Sequence, residues 1–201
     1  MQPSASFAID LIHTMCFGSI QRLISAILWR IILSNCYRAR GGKETQIETN
    51  LKHVREALFL WYEQEDVSWG NRLSDLTASM LGGVPSTEDD SANSSFGGGH
   101  MRLKAHETLC ILPFAIDLLR KHPTVHCQAH LMKAGTAMIE LLELLRKQPM
   151  RVESDKIQHI FDLMHGHLMR CEWAQLAFVP KHHFAAHLVK RTGFFSSVAL
   201  G

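Results

Sequence analysis

The sequence predicts an all-α protein, an irregular array of five to seven helices with one flexible linker. Apolar residues recur at three- and four-residue steps through most of the 201 residues. Alternating apolar and polar runs long enough for a strand are absent. Glycine and proline fall between the periodic segments, where breaks between helices belong.

The first element expected is a buried helix within Phe7 to Leu33, which is strongly apolar yet interrupted by Asp10, His13, Arg22 and Arg30. These charges leave no convincing membrane span, and the start of the chain lacks the basic region of a signal peptide. From Thr45 to Asp66, Ile47, Leu51, Val54, Leu58 and Trp61 form the apolar stripe of an amphipathic helix. A short helix is expected from Ser74, capped by its hydroxyl and followed by Leu76, Met80 and Leu81, ending at Gly82-Gly83. The stretch 82–100 is rich in Gly, Ser and acidic residues and has almost nothing to bury, so it reads as the linker.

Three strong helices follow, at about Arg102 to Lys121, Val125 to Gln148 and Ser154 to Gln175, punctuated by Pro123 and Pro149. Pro113 is expected to bend the first. Leu131, Met138, Leu141, Leu142 and Leu145 give the second a wide apolar face, and Ser154 and Asp155 signal the start of the third. A last helix is expected from Lys181 to Thr192. The organisation read from this is an N-terminal helical segment at 1–81, a linker at 82–100 and a C-terminal helical domain at 101–201.

Composition narrows the function classes. A hydrophobic content of 46% fits a globular chain with a core and excludes a disordered or collagenous one. The 21 basic and 19 acidic residues leave a formal charge of +2, without the basic excess that announces nucleic-acid binding. Five cysteines without Cys-x-x-Cys spacing argue against a disulfide framework and a zinc ribbon and favour a reducing, intracellular compartment.

Thirteen histidines are the compositional anomaly. His126/His130 and His183/His187 have the i, i+4 spacing that sets two imidazoles on one helix face. Two ligands do not make a site, and neither pair encloses the glutamate of a metalloprotease helix, so no metal site is assigned. No nucleophile elbow or phosphate-binding loop is present. Arg22, Arg30, Arg38 and Arg40, with Lys43 beside them, and Lys181, Lys190 and Arg191 around the last helix, are the candidate DNA contacts. Trp29 and Tyr37 lie among them, where they could stack on bases.

Three segments carry a family resemblance. Asp10-Leu-Ile-His13, with Gly18 beyond it, resembles the Asp-x-x-His element of cut-and-paste transposases with an RNase H-like core. Arg102-Leu-Lys104-Ala-His106-Glu107, running on to Leu112-Pro113, is similar to the Lys-Ser-His-Asp element and Leu-Pro helix of the CACTA (En/Spm-like) transposases. Pro180-Lys-His182-His183-Phe-Ala-Ala-His187-Leu188 is similar to the Pro and His-Leu helix that shortly precedes the final catalytic carboxylate of such proteins.

The resemblance implies metal-dependent DNA strand transfer in the intact family, with three carboxylates holding two Mg²⁺ ions. Here no Asp or Glu follows Glu172, and the chain begins at the first element. The expectation is therefore a degenerate or truncated transposase-like protein, the helical insertion region with Asp10 and His13 as catalytic remnants. It is not expected to be an enzyme or to hold a cofactor as it stands. Its expected partners are DNA, a protein partner or the missing core, and its expected location is nuclear on this reading. Two alternatives stand beside it, a stand-alone helical protein-interaction module and a His-rich metal-binding helical protein.

Overall fold

A computed structural model describes residues 15–34, 36–84, 101–147 and 154–176. Its elements are a π-helical turn at Met15–Ile20, α1 at Gln21–Leu33, α2 at Lys43–Gln64, a 3₁₀ turn at Trp69–Asn71, α3 at Ala105–Lys121, α4 at Gln128–Lys147 and α5 at Ser154–Trp173. The described residues are all-helical, without strands. Residues 85–100 and the helix expected at 181–192 lie outside them, as do the ends of the chain.

α1 is the centre of the array. Eleven of its thirteen residues are buried, all but Arg22 and Leu33. A helix apolar on every side has to be enclosed by its neighbours, and α2, α3 and α4 pack around this one while α5 pairs with α4. No helix among the described residues is long and apolar enough to cross a membrane. Residues before and after 85–100, such as Leu28, Leu58, Leu119 and Met138, belong to one hydrophobic cluster.

Polar residues on α1 tie it to its surroundings. Ser25 Oγ and Trp29 Nε1 both donate to the Leu81 carbonyl, at 2.8 and 3.1 Å. Gln21 Nε2 donates to the Leu103 carbonyl at 2.9 Å and reaches Thr108 Oγ1 at 3.2 Å. The bonds to Leu81 O and Leu103 O give buried carbonyls of connecting segments their donors, and the bond to Thr108 ties α1 to α3.

The helix expected from Ser74 does not form. The segment makes turns at 78–82, closed by bonds from Leu81 N to Thr77 O and Gly83 N to Ala78 O, with Gly82 and Gly83 at positive φ. Asp75 Oδ1 accepts from Leu76 N at 2.7 Å and pairs with Arg55 at 3.0 Å. Tertiary partners take the carbonyls here: Leu81 O serves α1, and Met80 O accepts from Arg102 N.

α2 buries Asn50, Val54, Leu58 and Tyr62, a line of four-residue steps slightly rotated from the stripe read in the sequence. Ile47, Leu51 and Trp61 are only partly buried beside it. Asn50 Nδ2 donates to Ile32 O at 2.8 Å, and Tyr62 Oη accepts from Leu73 N at 3.1 Å. α3 runs on through Pro113 without a break.

Close approach between α3 and α4 depends on Gly135. A Cβ there would lie 2.0 Å from Ile116 Cδ1 and 2.7 Å from Cγ1, and Ile116 is itself buried. The apolar face read for α4 omitted this position because glycine adds nothing to a hydrophobic pattern. α5 presents Ile160, Met164, His167 and Cys171 inward. His167 Nδ1 donates to the Ala134 carbonyl at 3.0 Å, so in the neutral ring Nε2 accepts from the hydroxyl of Ser19. Burial pushes the adjoining Cys171 thiol up to about 12.

Candidate nucleic-acid interface

The loop between α1 and α2 positions the exposed arginines. It carries Arg38 in the left-handed region at φ 54° and Gly41 at φ 108°, where the absent side chain makes the turn inexpensive. Gln46 Nε2 closes it by donating to Gly41 O at 2.8 Å. Arg38, Arg40 and Lys43 are exposed.

Tyr37 fixes this loop to two helices. Its ring stacks on His53 of α2 at 5.0 Å and meets the edge of His122, just past the end of α3, at 5.3 Å. Arg38 directly follows Tyr37, and Lys121 directly precedes His122. Cationic groups distant in sequence thus share one neighbourhood.

Charge at this surface comes mainly from the arginines. Among the described residues neither Arg38 nor Arg40 has an ion-pair partner. Arg120 and Lys121 share the Asp117 carboxylate, at 3.2 and 2.7 Å, which leaves that group one net positive charge. Burial and then the Lys121 ammonium hold His122 below the usual histidine range, so it is neutral at pH 7. Burial raises the Tyr37 phenol to about 12, and its buried Oη has no hydrogen-bond partner among the described residues.

The other residues singled out in the sequence have different fates. Arg30 is buried, only 4% exposed, and donates from Nη2 to Ala174 O at 2.5 Å and from Nη1 to His126 O at 3.3 Å. It binds the start of α4 and the end of α5 to α1 and is not available to DNA. Trp29 is fully enclosed and stacks on no base. Arg22 is partly buried, and burial depresses its guanidinium.

Glu107 from the Lys104–Glu107 motif caps α3: its Oε2 accepts from the Lys104 backbone N–H at 2.8 Å. His106 is exposed and Pro113 sits inside α3. Asp10, His13, Pro180, Lys181, His183, His187, Lys190 and Arg191 lie outside the described residues. His53 and His122 were missed in the sequence. They lie 69 positions apart in the chain, and no local signal links either of them to Tyr37.

Comparison with protein-family models, with curated proteins and with solved structures produced no match to this chain.

Proposed function

We propose that this chain is the helical, non-catalytic part of a transposase-like protein, placed on DNA through the surface around Tyr37. The observation that carries this reading is the packing of Tyr37 between His53 and His122, which gathers Arg38, Arg40 and the cationic end of α3. Guanidinium groups suit phosphate because their planar donors match its oxygens. The contact is to the phosphate backbone, positioning the protein without choosing a sequence.

About three phosphate contacts imply weak, salt-sensitive binding, with Kd on the order of 10⁻⁴ to 10⁻⁶ M and a log–log salt slope of about −3. Fluorescence anisotropy with a labelled duplex across a salt series measures both. The double variant Arg38→Gln, Arg40→Gln is expected to bind less tightly and to lose about two units of slope, with its circular dichroism unchanged. Equal slopes in the two proteins overturn the assignment of this surface.

DNA flanking the coding sequence tests the transposase part of the proposal separately. Predicted strands with an Asp upstream and a Glu downstream support it, and stop codons or unrelated sequence on both sides sink it. A folded chain that ignores DNA at low salt favours a second reading, a helical protein-interaction module. Its observation is the exposed apolar group of Phe59 and Leu60 on α2, with Trp69 lying under the Arg72 guanidinium at 4.4 Å.

A further inference from the structure

We infer that the C-terminal end of α2, with Trp69 at its tip, is a docking surface for a cationic segment of another protein that carries large apolar anchors. Several features gather here, and each works against the stability of the chain alone. Among the described residues Trp69 is the most exposed large apolar side chain, at 82%, and Phe59 and Leu60 are exposed with it. A ring of that size left in water is the kind of surface that a partner covers.

The charges point the same way. Glu63 in the last turn of α2, and Glu65 and Asp66 just beyond it, stand at the negative end of the helix dipole, and no basic residue offsets them in that turn. Arg72 neutralises Glu63, but neither Glu65 nor Asp66 has an ion-pair partner among the described residues. Asp66 also holds a left-handed conformation, at φ 46°. It closes a Schellman turn in which Val67 N donates to Tyr62 O at 3.0 Å and Asp66 N to Glu63 O at 3.4 Å, a place that glycine takes without strain. Such departures from the rules of helix ends collect where side chains serve binding instead of folding.

The patch is continuous and held in shape. Arg72 Nε donates to Val67 O at 2.6 Å and Nη2 to Tyr62 O at 3.4 Å, with the guanidinium over the Trp69 ring at 4.4 Å and the Tyr62 ring at 5.8 Å. Phe59 lies against Tyr62 at 6.3 Å. Asn71 closes the turn that carries Trp69, donating from N to Ser68 O at 2.9 Å and from Nδ2 to Ser68 Oγ at 3.0 Å. A surface fixed in advance loses little freedom on binding.

Charge selects the occupant. The carboxylates repel phosphate, which disfavours nucleic acid and anionic lipid, whereas lysine or arginine beside the apolar anchors pairs with Glu65 and Asp66. The Tyr37 surface adjoins His53, roughly 16 Å back along α2 from Gln64. A partner docked at Trp69 therefore leaves that surface free.

The test measures by anisotropy the binding of two fluorescein-labelled amphipathic peptides to the full chain, one of leucine and lysine, the other of leucine and glutamate. The lysine peptide is expected to bind about tenfold or more tightly than the glutamate peptide. Trp69→Ser alters an exposed ring, so circular dichroism should be unchanged while affinity for the lysine peptide falls by about tenfold or more. Asp66→Gly should raise the urea midpoint, because backbone strain and an unfavourable charge are lost together, and should still weaken binding. A purely structural residue does not move stability and binding in opposite directions. Glu44→Gln with Glu48→Gln removes two exposed carboxylates from the other end of α2 and should leave affinity unaltered. Equal affinity for the two peptides, full affinity in Trp69→Ser, or an equal loss in the Glu44 and Glu48 double variant overturns the surface. Sedimentation velocity that shows the chain pairing with itself through Trp69 replaces the separate partner with a second copy.

Discussion

Trp29→Ala is expected to lower the unfolding free energy by about 3–5 kcal/mol, the range for removing a large aromatic side chain from a packed core. Trp29 has no solvent exposure and lies on the helix that α2, α3 and α4 pack around. The loss has two parts. The cavity opens at the centre of the array, and the Leu81 carbonyl keeps only Ser25 as its side-chain donor. Because a domain of this size is stable by only about 5–15 kcal/mol, the variant should unfold at much lower urea concentration in circular-dichroism titrations. A midpoint within experimental error of the parent would show that α1 is not the central helix.

Arg30→Met is expected to cost about 2–4 kcal/mol. Hydrogen bonds that involve a charged group contribute about 1.5–3 kcal/mol each, and the buried Ala174 O and the partly buried His126 O lose their guanidinium donor. Relief from burying a cation and the apolar contacts of methionine offset part of this. An arginine exposed on a helix would change stability by no more than about 0.5 kcal/mol, so the size of the effect separates a buried strut from a DNA contact. Urea titration measures the stability. Anisotropy, at a temperature where the variant remains folded, should show DNA binding close to that of the parent. Unaltered stability with lost DNA binding would return Arg30 to the surface.

Arg30 also shows where the sequence stops being informative. Its letter and its basic neighbours are the same whether it faces phosphate or a pair of carbonyls, and only the position of 126 and 174 relative to 30 distinguishes the two. Glu107 presents the same ambiguity. A carboxylate three residues after Lys104 fits both a degenerate catalytic motif and a capping box, and the 2.8 Å bond to the Lys104 N–H makes it a cap. The segment from Ser74 shows the same limit: Leu76 and Leu81 are buried and Met80 partly so, as the pattern suggested, but only a turn at 78–82 forms, with Met80 O and Leu81 O bonded to Arg102 and to α1.

By itself the sequence determined the helical class, the three long helices on the C-terminal side, the amphipathic α2 and the buried character of the segment that becomes α1. These follow from periodicity and from breaks at glycine and proline, which act within a few residues of one another. Tertiary structure alone decided that α1 lies at the centre, that Gly135 admits Ile116, that Arg30 points inward and that Tyr37 joins His53 to His122. Each of those facts is a contact between residues far apart in the chain. Packing selects such contacts by shape, and by the need to give every buried polar group a partner.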